Sequence, residues 1–190
     1  MGLFIIRRGR ITLTLPSRYR RLEKVVCSME KLKSRAAYGA AIVFLVFSLD
    51  QGTKALVLTN SAALLPGLAI TPGFNLVLVG NSGISFGLLA NFPPWAHTVI
   101  TLTICSWLIW MMFRAEQLSE IIAFSLILGG AFGNTFDRIR LGAVTDFLDF
   151  YVGQEHWPAF NFADVAIFAG AGILLIWPLF SDRNKGSQDC

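Results

Sequence analysis

Asp146 and Asp164 are the residues of this 190-residue chain whose type and setting most suggest chemistry. Both sit in otherwise apolar sequence beside a few polar groups: Asn134, Asp137 and Arg138 precede Asp146, and Asn161 precedes Asp164. Two carboxylates brought close cannot both ionise easily, so one pKa rises, the other falls, and the pair shares a proton. Such a pair supplies a general base to activate water and a general acid for a carbonyl or leaving amine, without metal, cofactor or histidine. Simpler readings stand beside this one. Asn161 and Asp164 also make a helix N-cap pair, with Asp164 at the positive end of the helix dipole. Asp137-Arg138 also reads as an interfacial ion pair, and Asp146 and Asp149 as loop carboxylates. Asp50 and Lys54, four apart on one helical face, read as a self-neutralising structural pair.

Other chemistries find little support. Cys27, Cys105 and Cys190 are isolated and form no CxxC pair, which argues against disulfides and a zinc site. His97 and His156 are far apart and lack an HExxH context. No metal and no cofactor is expected. Hydrophobic residues make up 54% and charged residues 15%, with a mean hydropathy of +0.59. Soluble domains carry about 45–50% apolar and about 25% charged residues, so the balance points to a membrane protein. The net charge of +4 could suggest nucleic acid until the charges are placed. Ten of the sixteen Lys/Arg precede residue 36, and the rest of the chain has six against ten Asp/Glu. The basicity belongs to one terminal segment, and no nucleic-acid partner is expected.

The elements that must position the acids are four apolar stretches, each long enough to cross about 30 Å of hydrocarbon. They run over about 36–58, 95–113, 118–136 and 163–180. Trp95, Trp107, Trp110 and Trp177 lie towards stretch ends, where indoles favour the interface. Ten basic residues at the N-terminus plus Arg114, Arg183 and Lys185 fall on one side, against Arg138 and Arg140 on the other. That bias predicts both termini cytoplasmic and both large connections outside. Pro66-Gly67 and Pro72-Gly73 are turn signals, and Leu68–Ile70 and Phe74–Val79 are rich in β-formers. They predict a small extracytoplasmic sheet over about 66–90. The expected organisation is a basic cytoplasmic extension (1–35), a membrane domain (36–180) and a cytoplasmic tail (181–190). Lipid-headgroup attraction is the functional reading of the extension. Met29, ahead of a compact basic flank, offers a second reading in which translation starts there.

Within the third stretch, Gly129 and Gly133 form a GxxxG face for close helix approach. The chain as a whole resembles the lipoprotein signal peptidases, the signal peptidase II family of bacterial membrane aspartyl peptidases. Four stretches carry the resemblance in order: Asp50-Gln51-x-x-Lys54; Asn81-Ser82-Gly83-Ile84-Ser85-Phe86-Gly87; Gly129-Gly130-Ala131-x-Gly133-Asn134-x-x-Asp137-Arg138; and Val144-x-Asp146-Phe147 with Phe160-Asn161-x-Ala163-Asp164. It covers about residues 36–180.

The resemblance implies an α-helical membrane protein with four transmembrane helices, a small extracytoplasmic β-cradle and a mobile surface segment. It implies a diacylglyceryl-prolipoprotein substrate, cleaved just before the lipidated lipobox cysteine, and a multi-pass location in the bacterial cytoplasmic (inner) membrane. Asp146 and Asp164 match the family's catalytic aspartates, and Asn81 and Arg138 match substrate-backbone ligands. Asn134, Asp137 and Asn161 match residues that shape the site, as do Gly83 and Phe86 in the loop. Asp50 and Lys54 match a pair that supports the cradle or helix packing. Membrane lipid is the other expected partner, and nothing requires more than a monomer. Gly80 before Asn81 and the long N-terminal extension depart from the family pattern. Two other classes compete. A proton-coupled transporter would spread its acids across bilayer depth, and a scaffold would have no use for two acids flanked by Asn134, Arg138 and Asn161.

Overall fold

The computed structural model describes residues 3–7, 10–14, 17–82 and 94–181. The chain divides into two compact units, Met1–Tyr38 and Gly39–Cys190. In the first, β1 (Leu3–Arg7) pairs antiparallel with β2 (Arg10–Thr14), Ile5 opposite Thr12 and Ile6 opposite Ile11. β-branched residues suit such a ladder. Helix α1 (Ser17–Thr59) begins in this unit, so the segment read as a basic extension contains regular structure.

The second unit takes in the remainder of α1, then α2 (Ser61–Leu64), β3 (Leu68–Thr71), β4 (Phe74–Asn81) and α3 (Pro94–Arg114). It continues with α4 (Leu118–Leu141), β5 (Val144–Val152), β6 (Glu155–His156) and α5 (Phe162–Ser181). Leu32–Thr59 of α1, the whole of α4 and Phe162–Phe180 of α5 are long and apolar enough to cross a membrane, and α3 is apolar over Thr98–Arg114. Trp107, Trp110 and Phe113 on α3, and Phe168, Leu175 and Leu179 on α5, are exposed. Such broad outward apolar surface belongs in lipid. The protein is a multi-pass helical membrane protein carrying a small antiparallel sheet.

Helix α4 is the hub, because its glycines let both neighbours come close. A Cβ on Gly129 would lie 2.7 Å from the Val46 Cβ of α1, and one on Gly133 would overlap the Asp50 carboxylate. On the side facing α5, a Cβ on Gly130 would overlap the Ala163 carbonyl oxygen. The contact is reciprocated lower down, where a Cβ on Gly170 would lie 2.6 Å from the Ala123 carbonyl oxygen. Small residues thus bring three backbones together around the polar residues that follow. Helix α3 packs on α4 through Cys105, Leu108, Ile121, Phe124 and Leu128.

Two boundaries differ from expectation, and both move site residues. Helix α4 continues to Leu141 rather than ending near 136, and Gly142 caps it with φ 77° and an N–H bond to the Arg138 carbonyl. Asp137 and Arg138 therefore lie inside the helix, with Asn134 one turn earlier on the same face. Gly142 supplies the left-handed residue that an α-helix commonly needs to stop.

The second difference is the sheet. Its order is β3-β4-β5-β6, and its longest strand, β5, comes from the connection read as a loop. The run Val-Thr-Asp-Phe-Leu-Asp-Phe-Tyr-Val is rich in β-branched and aromatic residues, which outweigh its two acids. β3 and β4 fall inside the sheet expected over 66–90, and Gly67 and Gly73 adopt φ of 82° and 89° in their turns. Val57, Leu64 and Phe147, with Leu76, Leu78 and Leu148, fasten the sheet to α1 and α2. Gly83 and Phe86, with the loop expected to carry them, lie outside the described residues.

Candidate active site

Three parts of the chain converge on Asp146. β5 presents it opposite Val79 of β4, and the side chain is 1% exposed. Asn81, at the end of β4, donates its Nδ2 to Asp146 Oδ2 at 3.0 Å. Asn161 donates its Nδ2 to Asp146 Oδ1 at 2.6 Å. Asn161 is fully buried and lies just before α5, after a strand-like stretch in which Phe160 pairs with Leu148.

Asp164 enters through the same asparagine. Its backbone N–H donates to Asn161 Oδ1 at 3.0 Å, and its Oδ2 accepts the Asn161 N–H at 3.2 Å. This is the reciprocal N-terminal cap that the spacing suggested. The capping reading and the site reading hold together, because the other oxygen, Oδ1, accepts Asn134 Nδ2 at 2.8 Å. Asn134 Oδ1 accepts Asn161 Nδ2 at 3.1 Å, which closes a chain of amides between the two aspartates.

Below the amides lies a buried charge cluster. Lys54 Nζ is 2.9 Å from Asp50 Oδ2 and 3.1 Å from Asp137 Oδ2, and it donates to Asn134 Oδ1 at 2.9 Å. Asp50 Oδ1 also accepts the Ala163 N–H at 3.0 Å, and Asp137 Oδ2 accepts the Thr145 N–H at 3.0 Å. Each acid therefore holds a backbone segment next to the site: Asp50 holds the start of α5 and Asp137 the start of β5. The Asp50–Lys54 pair expected within α1 is present and reaches across to α4. Arg138 lies within electrostatic reach of Asp164, Asp146 and Asp137.

The acids expected together are together. Gln51 received no role from the sequence, yet its Nε2 reaches Asp50 Oδ2, the Gly133 carbonyl and Asp137 Oδ1 at 3.1, 3.2 and 3.0 Å. Its place beside Asp50, in the run Asp50-Gln51-x-x-Lys54, was the available signal. Asp149, read as a loop carboxylate, is a buried strand residue. Asn75 Nδ2 donates to it at 3.0 Å, and His156 Nδ1 lies 2.9 Å from its Oδ2. Burial pushes its pKa up, but the His156 and Asn75 hydrogen bonds outweigh this and hold it below the ordinary value. Asp146 and Asp149 break the alternation that marks a strand, so spacing alone does not reveal the strand that buries Asp149.

The Asp146 carboxyl is pushed up from 3.8 to about 6. Burial is the main cause and the Asp164 charge adds to it, while Asn81, Asn161 and Lys54 oppose the rise. A raised folded-state pKa means that ionising Asp146 works against the fold. The favourable state is fully present below about pH 4 and is lost as pH rises through about 6. A rise from 3.8 to about 6 corresponds to about 3 kcal/mol. Asp146→Asn removes this pH-dependent term. The unfolding midpoint of the variant relative to the parent, in detergent, should therefore rise between pH 4 and pH 7. A constant difference across that range would show that Asp146 does not titrate in this way.

Two neighbouring carboxylates, one buried with its pKa near 6 and both held by amide donors, can share one proton. The ionised partner can then act as a base towards water, and the protonated one as an acid.

Comparison with known proteins identifies the family over most of the chain. The model of the family described as signal peptidase (SPase) II matches residues 42–180. The lipoprotein signal peptidase of Aeromonas hydrophila subsp. hydrophila is 44% identical over 149 residues, covering 76% of this chain and 89% of that protein. The lipoprotein signal peptidase of Cupriavidus taiwanensis is 44% identical over 140 residues, covering 72% and 79%. Among solved structures, a bacterial membrane enzyme determined by the in meso method at 2.3 Å superposes with a TM-score of 0.70 and 26% identity. It covers 81% of this chain and 94% of its own. A second such enzyme, at 1.9 Å, gives 0.66 and 28%, covering 75% and 93%.

Proposed function

The chain belongs to the signal peptidase II family, whose members remove signal peptides from prolipoproteins, and from that premise we propose an aspartic endopeptidase mechanism. The substrate is a prolipoprotein bearing diacylglycerol on its lipobox cysteine, and the bond cut is the one just before that cysteine. The observation that carries this reading is the amide-linked pair Asp146 and Asp164, placed where β5 meets the ends of α4 and α5.

In the proposed reaction the pair holds one proton. The ionised carboxylate takes a proton from water, which attacks the scissile carbonyl carbon, and the protonated carboxyl gives its proton to the carbonyl oxygen. The tetrahedral intermediate then collapses: the carboxyl that took the water proton gives it to the departing amine, the other carboxylate takes a proton back from a hydroxyl of the intermediate, and the pair again holds one proton. Asn81 and Arg138 border the pair and hold the substrate backbone. Asn134, Asp137 and Asn161 orient the carboxylates, and Asp50 with Lys54 supports them. In this reading four helices span the bacterial inner membrane, α3 being the fourth, both termini are cytoplasmic, the sheet is outside, and the pair lies at headgroup depth at the outer face; the three long apolar helices and the apolar α3 support it. At that depth a lipid-anchored substrate and water can meet. A monomer suffices.

A cleavage assay with purified protein tests this reading. A diacylglyceryl-modified lipobox peptide should be cut before its cysteine, and the unmodified peptide should be cut more slowly. Loss of a few buried methylenes at ~0.8 kcal/mol each gives about a tenfold to 10²-fold difference. EDTA should leave the rate unchanged. Equal rates on both peptides, or EDTA inhibition reversed by added metal, would overturn the proposal.

A further inference from the structure

Lys54 makes more contacts than a neutralising pair needs. Its ammonium carries only donors, and the side chain is 2% exposed. One donor meets Asp50, its partner one turn earlier on α1, and the other two meet Asp137 and Asn134 on α4. The contact with Asn134 has a consequence for the aspartates.

An asparagine amide has an acceptor end and a donor end. Asn134 lies between Lys54, which can only donate, and the Asp164 carboxylate, which when ionised can only accept. With its Oδ1 towards Lys54 and Asn161 Nδ2, its own Nδ2 faces Asp164 at 2.8 Å. The flipped amide would set its NH2 against the Lys54 ammonium and the Asn161 NH2, and its oxygen against the Asp164 oxygen. Asn161 is fixed in the same sense, because its Oδ1 accepts the Asp164 N–H while its Nδ2 serves Asp146.

We propose that Lys54 is a positioning residue for the Asp146–Asp164 pair: it fixes the polarity of the Asn134 amide, and so presents a donor to Asp164 and an acceptor to Asn161. This rests on the peptidase reading of that pair. Among the described residues, the charged groups around the aspartates are Asp50 and Lys54 from α1 and Asp137 and Arg138 from α4. β4 contributes asparagines and apolar residues but no charge. The positive charge of Lys54 also lowers the Asp146 pKa, so its loss should shift the pH dependence of the pair upward.

The test compares two doubly neutralised proteins, Asp50→Asn/Lys54→Met and Asp50→Asn/Lys54→Gln, using the lipidated peptide. Both lose the ion pairs of Lys54 with Asp50 and Asp137 alike, and Asp137 keeps its Gln51 and Thr145 donors, but glutamine can still donate to Asn134 Oδ1 and methionine cannot. The methionine double variant should lose about 10²-fold in kcat with KM little changed, the scale expected for misplaced catalytic groups. The glutamine double variant should lose far less. In both, the pKa read from kcat/KM should move to higher pH. Equal kcat in the two variants with an unmoved pH profile would reduce Lys54 to a structural role and overturn the proposal.

Asn134→Leu serves if the methionine variant does not fold. It is neutral and close in volume, leaves Lys54 its two carboxylates and removes the donor to Asp164, so it should lose kcat much as the methionine double variant does; parental kcat would overturn the proposal. Asp146→Asn runs alongside as a control. If it cuts at the parental rate, the peptidase reading itself has failed, an outcome separate from the comparison at Lys54.

Discussion

Asp146→Asn and Asp164→Asn should each abolish cleavage of the lipidated peptide while the protein still folds and inserts. Positioned acid–base groups contribute about 10²–10⁴-fold each, and a pair that must share one proton loses its function when either member cannot ionise. The fold should survive for reasons visible in the hydrogen bonds. Asparagine is nearly isosteric with aspartate, and the segments around the site are tied by other groups. Asp50 holds the Ala163 N–H, Asp137 holds the Thr145 N–H, and Phe160 pairs with Leu148. The price at position 146 is local. Asn81 and Asn161 both donate to the carboxylate, and an amide can accept only one of them without a rearrangement. Single-turnover rates with circular dichroism on the same samples check the expectation. A folded variant of either kind that cuts at near the parental rate would remove the dyad assignment.

The second large effect should come from a residue with no functional group. Gly130→Ala adds one methyl where α4 and α5 touch, and that methyl would overlap the Ala163 carbonyl oxygen. A backbone carbonyl cannot turn aside as the end of a side chain can, so the helices must separate or slide. Overpacking of this kind destabilises by about 1–3 kcal/mol, and the obstruction by backbone argues for the upper part of that range. Activity should fall further than stability, because Ala163 adjoins Asp164 and its N–H is held by Asp50. A displacement near 1 Å at a reacting group can remove about 10²-fold of rate. The measurement is kcat/KM together with the unfolding midpoint in detergent. Gly172→Ala is the control, since a Cβ there meets nothing within 4 Å. Equal behaviour of the two variants would contradict the close helix approach.

The sequence made the acids visible because charge is expensive in apolar surroundings. Asp50, Lys54, Asp137, Asp146 and Asp164 stand out against their neighbours, and the GxxxG run announces close packing. It concealed β5 for the opposite reason. Asp146 and Asp149 interrupt the alternation expected of a strand, so a residue pattern dominated by polar groups reads as a loop. The end of α4 was misplaced by the same polar residues. Asn134, Asp137 and Arg138 look like the exit from a membrane span, whereas Asn134 and Asp137 face partners on α1, β5 and α5 and the helix runs on to its glycine cap.

What the sequence determined by itself was composition-level and local: apolar lengths that suit a membrane, turns at Gly67 and Gly73, the cap joining Asn161 to Asp164, and the i,i+4 pair Asp50–Lys54. Each depends on residues within a few positions of one another, where spacing dictates geometry. The tertiary structure alone decided which polar groups meet across 80 or more positions, as Lys54 does with Asn134 and Gln51 with Asp137. It also decided which way each amide points. Those choices follow from burial, because inside a closed cluster every donor must find an acceptor, and only the assembled helices and sheet determine which acceptors are within reach.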